Sequence, residues 1–218
     1  MSKGRKKPIS SKMVNLNVQL QRRSGVRKLS KRFLIVCEDV KSAPNYFRAL
    51  KKCENLDATS VAVFGSNGKT QPAQVVQSAI DLQEVAADRS SGTEPFDEVW
   101  CVIDGDCGAN IKHARTMANT HKIKLAISTM CFEYWVLLHF DKHHRPAGDC
   151  NAVVRTLKKY HCPQYAKGTC DFVGIVPHAR DASARAKKLR RTQDLPESQN
   201  PCSDLYLLID AMLAAVSP

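Results

Sequence analysis

Four short apolar runs alternate along this chain with longer segments in which apolar residues recur every three to four positions. Residues 32–37, 60–64, 99–103 and 124–128 have the length and β-branched content of buried strands. Between them, residues 44–51 begin at a first-turn proline, 72–88 carry a broad apolar face from Val75 to Val85, and 109–120 complete the set of helices. Strand and helix in strict alternation predict an α/β fold: a mostly parallel sheet of about four strands, helices on its faces and right-handed crossovers. A strongly apolar segment, 130–140, is read as a helix following the last strand. Three more helices, 149–160, 177–191 and 204–216, form a helical C-terminal part. The organisation read from this pattern is an arm over 1–31, an α/β core over 32–145 and a helical part over 146–218 packed on the core.

Charge separates the arm from the body. The chain carries +12 overall, yet residues 1–32 hold 11 Lys or Arg and no acid. The remainder, with 22 basic and 21 acidic residues, is nearly balanced. Arg22, Arg23, Arg27 and Lys28 of the arm are therefore candidates for phosphate contact, with a solvated leader as the plain alternative. A second basic cluster, Arg185, Lys187, Lys188, Arg190 and Arg191, lies on the 177–191 helix and reads equally as a nucleic-acid track or a solvated face. Without a transmembrane-length apolar run or a secretory pattern, the expected location is the cytoplasm, with no membrane partner. The nine cysteines are odd in number and show no CxxC spacing, so they are expected to be reduced. A zinc site drawn from His139, His143, His144, Cys150, His161, Cys162 and Cys170 lacks paired short spacings and is not favoured.

Candidate chemistry gathers where the strands end. The first run closes on Glu38-Asp39 and the third on Asp104-Gly105-Asp106. In a parallel sheet the carboxyl ends share one edge, where such folds place ligands, so Glu38, Asp104 and Asp106 can meet there. Hard divalent cations such as Mg²⁺ or Mn²⁺ take oxygen donors of this kind, although Asp-Gly-Asp alone is equally a polar turn. Glu133, in the first turn of an aromatic helix, either complements the helix dipole or joins the same acidic site. The loop Gly65–Thr70 is not a phosphate-binding loop, because Val63 stands where that motif requires glycine.

Taken together, Phe33–Glu38, Asn45-Tyr46-Phe47, Val102–Asp106, Cys131–Phe140 and Asn200-Pro201 resemble the RloB family. That family includes the AbiL abortive-infection component and is related to the Toprim nuclease domains of OLD-type proteins. The resemblance runs from about residue 32 to the C-terminus, and Phe132-Glu133-Tyr134-Trp135 is its most specific part. It implies a Toprim-like fold and metal-assisted phosphodiester chemistry. Glu38 matches the first-strand glutamate, Asp104 and Asp106 the Asp-x-Asp metal ligands, and Glu133 an acidic residue that supports the site; Lys41, three residues beyond Glu38, is then placed to offer positive charge to the phosphate. One departure matters: where the family reads Cys-Glu-Gly-Glu-Lys-Thr-Glu, this chain has Cys37-Glu38-Asp39-Val40-Lys41-Ser42-Ala43. The loss of two acids leaves three outcomes open: one metal instead of two, Asp39 as a substitute ligand, or a weakened site.

The resulting expectation is a metal-dependent nuclease acting on RNA, including tRNA, or on DNA. The resemblance implies a toxic effector of bacterial anti-phage defence, with an ABC- or AAA-type ATPase as a separate protein. The competing expectation is a catalytically degenerate module that binds nucleic acid or the ATPase.

Overall fold

The computed structural model describes residues 31–56, 60–66, 71–88, 92, 94–105, 109–140, 149–192 and 202–215. Four strands, β1 (Phe33–Cys37), β2 (Val61–Gly65), β3 (Glu98–Asp104) and β4 (Lys124–Ser128), form one sheet in the order β2-β1-β3-β4, every pair parallel. The helices are α1 (Ser42–Cys53), α2 (Pro72–Ala87), α3 (Ala109–Thr120), α4 (Phe132–Leu137), α5 (Cys150–Tyr160), α6 (Ala179–Thr192) and α7 (Leu205–Ala214). The α/β expectation holds, and the sheet is wholly parallel. Among the described residues no helix is long and apolar enough to cross a membrane.

The continuous apolar runs of β1 and β3 reflect burial on both faces. Phe33, Ile35, Cys37, Trp100 and Val102 point into one core, whereas Leu34, Val36, Val99, Cys101 and Ile103 point into the other. The first core is closed by α1 and by the helices that follow β4, the second by α2 and α3. Right-handed crossovers dictate this division. The chain leaves β1 in one direction to reach β2, then crosses back over β1 to β3, so α1 falls on one face and α2 and α3 on the other. The reversal opens a crevice at the carboxyl ends of β1 and β3.

Several element boundaries differ from the sequence pattern for local reasons. Helix α1 starts at Ser42, before the proline, because the Asp39 carboxylate accepts the N–H groups of Lys41, Ser42 and Ala43 and so caps the first turn. Helix α4 (Phe132–Leu137) begins only after Met130 because that residue has φ 78°, in the left-handed region, and turns the chain sharply after β4. A 3₁₀ turn over Val176–His178 precedes α6. The expectation that all cysteines are free fails at one pair: Cys131 and Cys150 form a disulfide. Their spacing follows no motif, and the fold alone brings the start of α4 to the start of α5.

The aromatic cluster under α4 is a packing feature. His139 is buried, its Nδ1 lies 3.0 Å from the Trp135 carbonyl and its Nε2 3.0 Å from the Tyr46 hydroxyl. The carbonyl can only accept, so Nδ1 carries the proton and Nε2 accepts from Tyr46. Burial holds the imidazole pKa down at about 4, so the ring is neutral at physiological pH.

At the opposite end of β3, away from the crevice, Glu98 is 8% exposed and is held by Lys31 at 2.7 Å, Lys124 at 2.9 Å and the Trp100 indole N–H at 3.0 Å. Burial alone would raise its pKa, but the hydrogen bonds from Lys31, Lys124 and Trp100 outweigh it and hold the carboxyl at about 2. A depressed folded-state pKa stabilises the fold above the unfolded value of about 4.5, and that contribution fades as pH falls toward about 2. With both lysines half exposed, it amounts to on the order of 2 kcal/mol. Urea denaturation should therefore show wild type more stable than Glu98→Gln at pH 7, with the gap closing between about pH 4.5 and 2. A gap that persisted at pH 2 would rule out ionisation as its source.

Candidate active site in the β1/β3 crevice

Glu38 and Asp104 stand at the ends of neighbouring strands, and the fold joins them directly: the Asp104 N–H donates to Glu38 Oε2 at 3.0 Å. The Glu38 backbone is itself fixed from both sides. Its N–H donates to the Val102 carbonyl at 2.9 Å, and its carbonyl accepts from Ser66 Oγ at 2.5 Å. Two glycines let the neighbouring loops close over this edge. A Cβ on Gly65 would lie 2.7 Å from the Val40 Cα, and one on Gly105 would lie 2.9 Å from the Thr129 Cα. Gly105 also donates its N–H to the Ser128 carbonyl at 2.7 Å, locking the loop after β3 to the end of β4.

In front of the pair opens a cavity of about 230 Å³ lined by Asp39, Lys41, Asp104, Phe132, Glu133 and Lys167, among others. Four of the five residues chosen from sequence thus meet at one place: Asp104, Lys41 and Glu133 line the cavity and Glu38 backs Asp104. The fifth, Asp106, lies outside the described residues. Asp39 reaches the cavity, but its carboxylate is taken up by the N–H groups that start α1. Burial raises its pKa against those hydrogen bonds. Its role as cap makes it a poor substitute ligand, and neither Val40 nor Ala43 offers a donor.

Glu133 is only 3% exposed, and a carboxylate so deep needs partners. It receives the Tyr165 hydroxyl at 3.1 Å and forms an ion pair with Lys167 at 3.4 Å. Burial, then the Glu133 charge, pushes the Tyr165 phenol pKa up, which keeps it a neutral donor. Glu133 stands in the first turn of α4 and also lines the cavity, a position compatible with either of the two alternatives read from sequence.

Tyr165 and Lys167 went unnoticed in the sequence. They sit in an irregular segment after α5, without periodicity or motif, and reach the site because Gly168 is tied to α1. The Gly168 N–H donates to Ser42 Oγ at 3.1 Å, and its carbonyl accepts from Asn45 Nδ2 at 3.4 Å. The only available signal was the position of a lysine next to a turn glycine, which is too common to act on.

The nucleic-acid candidates are only partly placed. Arg22, Arg23, Arg27, Lys28 and the Arg191 side chain lie outside the described residues. On α6, Arg185 donates to the Leu138 carbonyl at 2.9 Å, Lys187 pairs with Asp210 at 2.5 Å and Arg190 with Asp204 at 3.7 Å. These three contribute to docking α6 against the body and α7, while Lys188 is exposed. Of the zinc set, His143 and His144 lie outside the described residues, while His139 is buried against Tyr46 and Trp135, and His161 stacks on Phe140 at 4.4 Å. Among the described residues, the three donors that converge within 4.8 Å of one another are Cys131, Glu133 and Cys150.

Comparison with known proteins adds one result. Searches of curated proteins and of solved structures give no match. A family model described as RloB-like protein matches residues 33–212, which span every described strand, the crevice carboxylates and the Phe132–Trp135 segment. The chain belongs to the RloB-like family.

Proposed function

We propose that this chain is a divalent-metal-dependent nuclease of Toprim type, hydrolysing phosphodiester bonds in RNA, including tRNA, or in DNA. In this reading it acts in the cytoplasm as the toxic effector of an anti-phage defence system and works with a separately encoded ABC- or AAA-type ATPase. The observation that carries the catalytic part is the Glu38–Asp104 pair at the strand-order reversal, facing a cavity that also holds Lys41 and Glu133. Family membership supports the defence role.

The donor set suits a hard cation: carboxylate oxygens at an open crevice, with solvent access for the remaining positions. Glu38, Asp104 and Asp106 would hold Mg²⁺ or Mn²⁺. When bound there, the cation supplies an activated water and neutralises charge on the phosphate and leaving oxygens. The chain's own residues do the rest. Lys41 and Lys167 offer positive charge to the phosphate from the same cavity, and Glu133 holds Lys167 in place. With Asp39 engaged as a helix cap and no acids at Val40 or Ala43, the site is assigned a single cation.

A second reading has one observation in its favour: that same loss of donors in the β1–α1 loop fits a module that binds nucleic acid or the ATPase without cleaving. Incubating the purified chain with total tRNA and with plasmid DNA, in Mg²⁺, Mn²⁺ or EDTA, separates the two. Cuts that need the metal and vanish in EDTA are the expected result, and the substrate cut identifies the polymer. Silence in every lane, repeated with the ATPase present, would favour the binding module.

A further inference from the structure

Behind Glu133 and Lys167, two residues that line the cavity, lies sulfur chemistry that the nuclease reading does not use. Cys131 directly precedes α4, Cys150 is the first residue of α5, and their disulfide brackets the helix that bears Glu133. The Cα atoms are 5.7 Å apart, an ordinary separation for a disulfide. Cys131 is buried, whereas Cys150 is partly exposed and open to a small reagent. Lys167 Nζ lies 3.2 Å from Cys150 Sγ and 3.4 Å from Glu133 Oε2, and that same carboxylate oxygen lies 3.5 Å from Cys150 Sγ. Lys167, Glu133 and Cys150 therefore share one set of contacts beside the cavity.

The oxidation state of the sulfur changes what the other two can do. In the disulfide, Cys150 Sγ carries neither proton nor full charge, and Lys167 pairs with Glu133. In the dithiol, the N-terminus of α5 and Lys167 favour a Cys150 thiolate, while the Glu133 carboxylate opposes it. A thiolate competes with Glu133 for Lys167, and a thiol donates to the Glu133 oxygen that Lys167 holds. The Lys167–Glu133 pair is altered in both cases.

We propose that Cys131 and Cys150 are a reversible thiol–disulfide modification site whose state sets the Lys167–Glu133 pair at the cavity. The oxidant is a low-molecular-weight disulfide of the glutathione class. The Cys150 thiolate attacks one of its sulfurs, breaking that S–S bond and releasing one thiolate. Cys131, as thiolate, then attacks Cys150 Sγ and displaces the second. Two protein thiols are oxidised to one disulfide, the reagent is reduced to two thiols, and the two protons end on those products. The modification stands whether or not the site cleaves nucleic acid.

The test uses the full chain under native conditions. After native treatment with dithiothreitol, acid quenching and alkylation in denaturant, peptide mapping should find both Cys131 and Cys150 labelled. After oxidised glutathione, both should escape labelling and appear as one cross-linked pair, lighter by two hydrogen atoms. The rate of Lys167 acylation by an activated ester should differ about threefold between the two states, the scale of a half-exposed ion pair. Cys150→Ser and Cys150→Ala should abolish that difference. Four results would overturn the proposal: no reduction by dithiothreitol without denaturant, which marks a permanent structural bond; thiols that persist in oxidised glutathione; protection from oxidised glutathione by one equivalent of Zn²⁺ that EDTA reverses, which marks a metal site; or equal Lys167 rates in both states. The wild-type measurements need no variant, so a misfolded substitution leaves the outcome decidable.

Discussion

Replacing Asp104 by Ala is expected to lower metal-dependent cleavage by at least about 10²- to 10³-fold, the cost of removing one preorganised electrostatic element from an active site. The fold should survive. Asp104 is the partly buried last residue of β3, and its tie to Glu38 runs through the backbone N–H, which the substitution keeps. A surface change of this kind shifts stability by about 0.5 kcal/mol or less, and thermal melting should move by no more than roughly 2 °C. Glu38→Gln gives a sharper comparison. The amide oxygen can still accept the Asp104 N–H, so the loop stays in place, but the negative charge is gone. Activity lost in both variants at unchanged melting temperature assigns the effect to charge at the crevice. Wild-type cleavage in both would mean that the reaction takes place elsewhere on the chain.

The part of this site that sequence made legible follows from burial. A strand covered on both faces must be apolar along its length, so β1 and β3 stand out as uninterrupted runs, and the polar residues that end them mark the sheet's edge. Parallel pairing then brings those ends together, which is why Glu38 and Asp104 were predicted as neighbours although 66 positions apart. What stayed hidden depends on contacts without period. Asp39 looked like a spare ligand and proves to be the cap of α1, because a loop carboxylate three residues ahead of a helix can bond its first N–H groups or face solvent with equal ease. Lys167 and Tyr165 complete the surroundings of Glu133 from a segment with no regular structure, positioned by Gly168 and Ser42. The Cys131–Cys150 pair was missed for the same reason, since two cysteines 19 residues apart carry no signal until a turn at Met130 and the packing of α5 bring them together.

The glycine inside Asp104-Gly105-Asp106 supports the second large prediction. Turn chemistry alone would make Gly105 a convenience, yet its surroundings make it a requirement. A Cβ there would meet the Thr129 Cα at 2.9 Å, the Ser128 carbonyl oxygen at 3.1 Å and Ile127 Cγ2 at 3.2 Å. Two of those three atoms are backbone, and β4 cannot retreat cheaply because Thr129 and the residues before it are tied to the Cys202–Asp204 segment, with the Thr129 N–H on the Cys202 carbonyl at 2.8 Å and the Asp204 N–H on the Ile127 carbonyl at 2.8 Å. Gly105→Ala must therefore push the loop after β3 away from β4 and stretch the Gly105 N–H to Ser128 bond. Overpacking of this sort costs about 1–3 kcal/mol. The larger effect falls on the chemistry: Asp104 is the adjoining residue, and a displacement of about 1 Å at a reacting group is worth about 10²-fold in rate. Gly174→Ala is the matched control, since a Cβ there meets nothing within 4 Å. Cleavage rates and urea midpoints measured side by side should show Gly105→Ala impaired in both and Gly174→Ala close to wild type. If Gly105→Ala kept full activity, the close approach of the two loops would not be what holds Asp104 in place.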